Sequence, residues 1–185
     1  MKLNLPAGYK EELISKEIDL EVQRISENII SQNEDFSKIV FIGIRSRGQF
    51  IAERIKDFIE KKLNVKITMG IIDITFYRDD LSHRKHLPQV KESKIPFNDL
   101  TGKTVIIVDD VMFTGRTIRA AMDLIFDYGR PDKIQLAVLV DRGYRELPIH
   151  PDYTGFKLDT NREDAVHVLV KESDSVDKII LWRKE

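Results

Sequence analysis

The sequence contains no cysteine, and this absence excludes several kinds of chemistry at once. Without a thiol the chain forms no disulfide, has no cysteine nucleophile and offers no cysteine ligand to zinc. An excess of charge of one sign is also missing, because 30 Lys and Arg residues stand against 31 Asp and Glu residues, giving a formal net charge of -1. A balance so close to zero provides no general attraction to nucleic acid or to a membrane, so such binding would need a local basic patch.

Long apolar runs are missing as well. No stretch approaches the length needed to span a bilayer, and the N-terminal segment lacks the apolar core of a signal peptide, so we expect a cytoplasmic protein that does not bind membranes. No repeat, low-complexity segment or linker rich in Pro, Gly and Ser divides the 185 residues. We therefore expect a single domain spanning residues 1–185, a length that is sufficient to bury a core.

The apolar residues that are present follow two alternating patterns. Helical spacing predicts helices at residues 18–29, 51–59 and 118–125. Apolar runs predict strands at 38–44, 66–77, 104–108 and 134–140, and two short strands at 165–170 and 178–182 are expected to form a terminal hairpin. Strands of Val, Ile and Leu that alternate with helices are typical of an α/β fold, with a central, mostly parallel sheet flanked by helices.

Polar loops follow three of these predicted strands. The loops are residues 45–48, 109–117 and 141–145, and each is rich in charged or hydroxyl side chains. In a parallel sheet, ligands bind beyond the carboxyl ends of the strands, which lie at one edge. The sequence therefore predicts one composite site that is built from all three loops.

The stretch VIIVDDVMFTGRT, residues 105–117, carries the most specific pattern. Thr114, Gly115 and Thr117 lie where a strand passes into a helix, and a helix N-terminus presents unpaired N–H groups to an anion. Glycine lets the backbone approach that anion closely, and the threonine hydroxyls can donate to phosphate oxygens. This loop is therefore expected to hold a phosphate.

Two adjacent carboxylates, Asp109 and Asp110, precede the loop and would repel the same phosphate. They suit a partner with paired donors, such as the two hydroxyls of a ribose, so the whole stretch fits a ribose 5-phosphate. The alternative interpretation is that one aspartate caps the helix and the other is exposed to solvent. That alternative explains capping without explaining the second acid.

The same stretch resembles the phosphoribosyl-pyrophosphate signature of type I phosphoribosyltransferases. Three further segments, GIRSRG (43–48), IDITFYRDDLS (72–82) and GRPDKIQLAVLVDRGYRELPI (129–149), resemble a bifunctional family of pyrimidine-operon attenuation regulators and uracil phosphoribosyltransferases. The resemblance runs from about Ile18 to near the C-terminus. It implies the type I phosphoribosyltransferase fold, with a mobile active-site loop at about 78–91 and a small hood mainly from about residue 150 onward.

The resemblance implies a uracil phosphoribosyltransferase that makes UMP and pyrophosphate from uracil and phosphoribosyl pyrophosphate in pyrimidine salvage. Mg²⁺ would be carried largely by the substrate phosphates, and no side chain is assigned to it. A homo-oligomer, either a dimer or a tetramer, is implied too. A purine phosphoribosyltransferase of the same fold would share the sugar-phosphate loop and differ in the hood.

The resemblance also assigns roles to individual residues. The catalytic residues would be Asp109, Asp110 and Arg142, and the two acids would hold the ribose hydroxyls. The 5-phosphate would lie against Phe113, Thr114, Gly115, Arg116 and Thr117. The pyrophosphate loop would consist of Arg45, Ser46, Arg47 and Gly48, with an unusual peptide at Arg45–Ser46 and both arginines on pyrophosphate. The mobile loop would add Arg78 and Arg84, and the base region would contain Asp141, Arg142, Tyr153, Lys157 and Leu158.

A regulator that binds pyrimidine leader RNA in response to UMP or UTP is the alternative that the family leaves open. RNA binding requires cationic side chains that face phosphates, and Arg24 and Arg145 are the candidates. Asp19, Glu21 and Glu27 surround Arg24 with negative charge, which argues against this role. The sequence therefore favours the enzyme over the regulator.

Overall fold

The computed structural model describes residues 4–74, 95–96 and 98–185. The strands in this part of the chain are β1 (Tyr9–Ser15), β2 (Ile39–Ile44), β3 (Thr68–Ile72), β4 (Thr104–Met112), β5 (Lys133–Asp141), β6 (Tyr153–Lys157), β7 (Ala165–Leu169) and β8 (Lys178–Lys184). The helices are α1 (Ile18–Gln32), α2 (Gly48–Leu63), α3 (Arg116–Phe126) and α4 (Lys171–Asp174), with a 3₁₀ turn at Phe36–Lys38. The predicted helices and strands are present with shifted ends, and residues 75–77 of the strand predicted at 66–77 lie outside the described residues.

The central sheet has five parallel strands in the order β3-β2-β4-β5-β6. In its register Gly43 of β2 lies beside Val108 of β4, and Asp141 of β5 lies beside Lys157 of β6. The carboxyl ends of these strands therefore meet at one edge of the sheet. This topology confirms the predicted α/β fold with a central parallel sheet.

Both faces of the sheet are covered, which explains why its strands are apolar without a break. On β4, Ile106 and Val108 belong to one buried cluster together with α1 and α2, whereas Val105 and Ile107 belong to another together with α3. Each long helix buries one face only, as the helical spacing predicts. In the described part of the chain, no helix combines the length and apolarity needed to cross a membrane.

A second, antiparallel sheet has the strand order β1-β8-β7. The β7 and β8 strands form the predicted hairpin, with α4 between them, whereas β1 follows no pattern that the sequence made visible. Val168 and Ile179 of this sheet pack into the main core, and Trp182 lies on the opposite face. We use the term hood for β1, β7, α4 and β8.

Strand β6 lies after residue 150, within the segment from which the hood is mainly expected, but it is the edge strand of the central sheet. Tyr153 lies beside Ala137, well before the carboxyl edge, and its side chain is 1% exposed. Its hydroxyl accepts hydrogen bonds from Gln135 at 2.8 Å and Asn33 at 2.9 Å. The Tyr153 side chain, expected in the base region, therefore packs in the core and does not line the cleft.

Candidate active site

A cleft of about 900 Å³ lies at the carboxyl edge of the central sheet. Side chains from the ends of β2 and β4, from the start of α3 and from the loop after β5 meet there, so the three polar loops converge as the sequence predicts. The residues of those loops that line the cleft include Arg45, Ser46, Asp109, Asp110, Phe113, Thr114, Gly115, Arg116, Thr117 and Arg142. Arg78 and Arg84, assigned to the mobile loop, lie outside the described residues.

The two acids belong to β4, which is longer than predicted and ends at Met112. Asp109 is 6% exposed, and its carboxylate accepts the N–H of Asp110 at 2.9 Å. The carboxylate of Asp110 accepts the N–H of Val111 at 3.0 Å. Helix α3 is preceded instead by Gly115, with no side-chain cap. The alternative interpretation, in which an aspartate caps this helix, is therefore wrong.

The proton affinity of Asp110 is perturbed. Burial raises the pKa of Asp110 above its ordinary value, and contact with Asp109, the positive charge of Arg47 and the N–H of Val111 offset only part of the rise. A partly buried carboxylate that lines the cleft gains from any ligand that donates hydrogen bonds to it. Adjacent hydroxyls of a sugar would supply such donors.

The stretch 113–117, called the phosphate loop below, turns from β4 into α3. Gly115 adopts a φ of +95°, a left-handed conformation that favours glycine, and its carbonyl accepts the N–H of Arg119 at 3.0 Å in the first turn of the helix. The carbonyl oxygen of Thr114 accepts the N–H groups of Glu146 at 3.0 Å and Leu147 at 3.1 Å. Because α3 begins at the cleft, its N-terminal end is suited to an anion.

Arg145, a candidate residue for RNA contact, braces the phosphate loop. Its guanidinium donates to the carbonyl of Phe113 at 2.8 Å and to that of Ile149 at 2.9 Å, and it pairs with Asp141 at 2.7 Å. The side chain is 14% exposed. With its donors directed inward, this arginine is poorly placed to contact a nucleic-acid phosphate.

Arg24, the other arginine assigned to RNA, is also engaged within the chain. Its guanidinium donates to the carbonyl oxygens of Thr154 and Gly155 on β6 and pairs with Glu21 at 2.7 Å. These contacts cover backbone acceptors on the outer edge of the central sheet, which would otherwise be open to another strand. Both candidate RNA residues thus have structural partners that the sequence did not reveal.

Residues 45–48, called the pyrophosphate loop below, join β2 to α2. The Arg45–Ser46 peptide bond is cis, at the position where the resemblance implies an unusual peptide. Gly48 packs directly on the acid-bearing strand: a Cβ atom there would lie 2.7 Å from the carbonyl oxygen of Val108 and 2.9 Å from the Cα of Asp109. Glycine is therefore needed for the close approach of this loop to the acid pair.

The expectation that both arginines of this loop bind pyrophosphate needs a correction. Arg45 lines the cleft, and its Nε lies 3.8 Å from a carboxylate oxygen of Asp73. Arg47 turns toward the hood, where its Nε and Nη2 donate to the two carboxylate oxygens of Asp174 at 3.0 and 2.9 Å. Two hydrogen bonds to a carboxylate already occupy the guanidinium of Arg47. This side chain is therefore less available to a substrate than the sequence pattern predicts.

Arg142 lies at the cleft in a fixed position. It is 6% exposed, its guanidinium carbon lies 4.0 Å from the ring centroid of Phe113, and it donates to the hydroxyl of Thr160 at 3.1 Å and the carbonyl of Asn161 at 2.8 Å. Burial lowers the pKa of Arg142, while the charge of Asp164 offsets part of that effect. Arg142 and Phe113 therefore line the cleft together, with the guanidinium over the aromatic ring.

Three other residues of the predicted base region lie near the same edge. The carboxylate of Asp141 accepts the N–H of Gly143 at 2.9 Å and pairs with Arg145, so it shapes its own loop. The N–H of Leu158 donates to the Asp141 carbonyl at 2.8 Å, directly after Lys157 at the end of β6. These contacts place Lys157 and Leu158 beside the loop that carries Arg142.

Two charged residues at the cleft were missed by sequence reasoning. Glu146 accepts from Arg116 at 2.7 Å and lies 3.7 Å from Arg162, and all three line the cleft. Arg162 stands in a segment without periodicity, and its side chain is 69% exposed. Nothing in the sequence distinguishes such a residue from an ordinary solvated arginine.

Comparison with known proteins identifies the family. Residues 9–173 match the family described as "Phosphoribosyl transferase domain". The "Bifunctional protein PyrR" of Thermus aquaticus is 46% identical over 178 residues, which cover 96% of this chain and 98% of that protein. The protein of the same name from Brevibacillus brevis is 51% identical over 154 residues, covering 83% and 86%.

Solved structures support the fold independently. A hypoxanthine-guanine phosphoribosyltransferase from Bacillus anthracis superimposes with a TM-score of 0.68 at 20% identity, covering 97% of this chain and 98% of that one. A purine phosphoribosyltransferase from Pyrococcus horikoshii gives a TM-score of 0.57 at 24% identity, covering 80% and 86%. At these identities the likeness shows the fold alone. By its sequence relatives and its fold together, the chain belongs to the PyrR family of type I phosphoribosyltransferases.

Proposed function

We propose that the cleft transfers ribose 5-phosphate from phosphoribosyl pyrophosphate to uracil, giving UMP and pyrophosphate. The observation that carries this proposal is the placement of Asp109 and Asp110 between two loops that suit anions. The phosphate loop follows the acid pair along the chain, and the pyrophosphate loop touches the acid-bearing strand through Gly48. In phosphoribosyl pyrophosphate the ribose lies between the 5-phosphate and the pyrophosphate. Such a substrate needs acceptors for the ribose hydroxyls beside two sites for anions.

In this proposal the acids bind the two ribose hydroxyls, which donate hydrogen bonds to the carboxylates. Positive charge develops on the sugar as the bond to pyrophosphate breaks, and the carboxylate of Asp110 faces that charge. The interaction strengthens in the transition state, so it should act on the rate as well as on binding. The N-terminal end of α3, with Thr114 and Thr117, holds the 5-phosphate.

Arg45 and Ser46 are the cleft-lining residues of the pyrophosphate loop, and they receive the leaving group. Mg²⁺ arriving with the substrate phosphates would supply charge stabilisation to the departing pyrophosphate. The guanidinium of Arg142, stacked on Phe113, is positioned to contact the base or the pyrophosphate. Uracil is the proposed base because the sequence resembles the family of pyrimidine-operon regulators and uracil phosphoribosyltransferases. The curated relatives at 46–51% identity, which share the PyrR name, support that resemblance.

Pyrophosphate release tests the proposal. Protein, Mg²⁺ and phosphoribosyl pyrophosphate would be incubated with uracil, hypoxanthine, guanine or no base, and the product nucleotide identified. Release with uracil and formation of UMP is the expected result. Release with purines only would keep the sugar site and overturn the base assignment, and no release with any base would overturn the enzymatic proposal.

Regulation through RNA is a second candidate, which the word "bifunctional" in the relatives' name favours. Against it stand the internal bonds of Arg24 and Arg145 and the net charge of -1. A gel-shift titration with a pyrimidine leader hairpin, with and without UMP, is the test. Submicromolar binding that weakens with added salt would support this function, and its absence would leave the enzyme as the remaining proposal.

A further inference from the structure

The contact between Arg47 and Asp174 joins the pyrophosphate loop to the hood. Two parallel hydrogen bonds connect the planar guanidinium to the carboxylate, at 3.0 and 2.9 Å, which is the strongest geometry for such a pair. The Asp174 side chain is 4% exposed and that of Arg47 is 23% exposed. The pair is therefore shielded from water, unlike an ordinary surface ion pair.

Asp174 is itself held firmly at the end of α4. Its carboxylate accepts the N–H of Val170 at 3.1 Å and the hydroxyl of Ser173 at 2.8 Å, and its own N–H donates to the carbonyl of Val170 at 2.7 Å. Burial alone would raise the pKa of this carboxyl, but the bonds from Arg47, Val170 and Ser173 lower it to about 2. The group is thus a fixed, charged acceptor at neutral pH.

Arg47 is also linked to the acid pair, because the residue that follows it in the chain packs on the acid-bearing strand. The next residue, Gly48, lies against Val108 and Asp109, and the Arg47 carbonyl accepts the N–H groups of Phe50 and Ile51 at the start of α2. Ser46, the preceding residue, lines the cleft. A displacement of Arg47 would therefore move the backbone that faces the substrate.

We propose that Asp174 of the hood is a positioning residue for the proposed transfer, which holds the pyrophosphate loop in its binding conformation through Arg47. The inference rests on the proposed function, because it treats residues 45–48 as the site of the pyrophosphate group. It goes beyond that function by giving the hood a role in binding the leaving group. Asp174 does not line the cleft, so it acts only through Arg47.

A second arginine provides the matched control. Arg54, further along α2, donates to Glu172 at 2.8 and 2.7 Å and to Asp177 at 2.9 and 2.8 Å, and it reaches Asp19 at 2.9 Å. These bonds fasten the same corner of the hood to α2 without touching the pyrophosphate loop. Glu172→Gln therefore weakens hood attachment alone, whereas Asp174→Asn also releases the loop.

The experiment compares both variants with the unaltered chain. Steady-state kinetics would give kcat and KM for phosphoribosyl pyrophosphate and for uracil, and titration calorimetry would give the affinity for pyrophosphate with Mg²⁺. We expect Asp174→Asn to raise the KM for phosphoribosyl pyrophosphate and to weaken pyrophosphate binding by about tenfold, with a smaller change in the KM for uracil. Glu172→Gln should stay within about twofold of the unaltered chain on every constant.

Arg47→Lys keeps the charge but cannot form the paired bonds, so it should reproduce the effect of Asp174→Asn. The double variant should be no worse than either single change, because both remove one contact. Equal effects of Asp174→Asn and Glu172→Gln, or unchanged pyrophosphate affinity in a folded Asp174→Asn protein, would overturn the inference. Absence of turnover in the unaltered chain, together with pyrophosphate binding that Asp174→Asn weakens, would overturn the proposed function while leaving the positioning role in place.

Discussion

The two anion-binding loops of the cleft are held in different ways. The phosphate loop, residues 113–117, lies between a strand and a helix that it joins itself, and its bracing partners come from one neighbouring loop at 143–149. The pyrophosphate loop, residues 45–48, depends on Asp174, a residue 127 positions away in the chain. The first loop is braced by a segment 32 positions away at the bond between Arg145 and Phe113, whereas the second is completed by a much more remote residue.

The difference explains why one loop was easier to interpret from the sequence. A phosphate loop made of contiguous residues displays its chemistry as a motif, with acids, glycine and threonines in a recognisable order. An arginine in the second loop looks equally available to a ligand until its partner is known. The partner lies in a short helix of four residues that has no periodic signal.

The largest expected effect concerns the acids that lie between the loops. Asp109→Asn combined with Asp110→Asn should lower kcat/KM for phosphoribosyl pyrophosphate by at least about a hundredfold, with kcat reduced as well as KM raised. An asparagine oxygen can still accept the N–H groups that these carboxylates bind, so the fold should persist. Circular dichroism would check the fold, and normal turnover in the double variant would remove the ribose assignment.

The next effect concerns the contact between the pyrophosphate loop and β4. Gly48→Ala places a Cβ atom against the Val108 carbonyl, so either the loop or the strand must move. We expect a loss of about 1–3 kcal/mol in the free energy of unfolding, together with reduced affinity for pyrophosphate. Gly102→Ala is the control: nothing lies within 4 Å of its Cβ, although its φ of +73° adds some strain. An equal loss of pyrophosphate affinity in the control would contradict the argument.

The stability of the remote contact has a defined pH dependence. The pKa of Asp174 is about 2 in the folded chain and about 3.9 in an unfolded one, so its contribution is complete above about pH 4. The contribution is lost as the pH falls from about 4 toward 2, where the folded carboxyl also becomes protonated. Asp174→Asn should therefore lower the free energy of unfolding by about 2 kcal/mol at pH 7, as measured by urea denaturation.

The difference between the unaltered chain and Asp174→Asn should become smaller at pH 3. Asp123→Asn serves as the comparison, because Asp123 pairs with Arg119 at a surface where both side chains are about half exposed. It should change the free energy of unfolding by less than about 0.5 kcal/mol at either pH. A pH-independent difference for Asp174→Asn would show that the carboxylate charge is not what stabilises the contact.

The smallest expected effect is a shift in the acid limb of the activity profile. Burial raises the pKa of Asp110, so activity that needs its carboxylate should fall at a higher pH than an ordinary aspartate would give. Arg47 opposes this rise through its charge. Arg47→Gln should therefore move the acid limb of kcat/KM further upward, and Arg47→Lys should leave it nearly in place. A downward shift in Arg47→Gln would contradict the electrostatic link between the two loops.

The positions of individual residues show how much of the site the sequence could predict. The acids, Gly115 and the threonines of residues 105–117 lie at the cleft as predicted, because their pattern is local. Tyr153 was assigned to the base region, but it lies at the start of β6 beside Ala137, and its side chain packs in the core. Arg24, Arg47 and Arg145 were assigned to ligands, and in the structure each also binds a partner within the chain. A long cationic side chain carries no local sign of which distant acceptor it will reach.

By itself, the sequence determined the parallel sheet with its covering helices, the polar edge of that sheet and the sugar-phosphate motif. Hydrophobic periodicity and a contiguous motif depend on neighbours in the chain, so the residues alone display them. Only the tertiary structure decided that β1 joins the hood, that β6 completes the central sheet, and that Asp174 holds Arg47. These features depend on pairings between segments far apart in the chain, whose partners are selected by packing and burial in three dimensions.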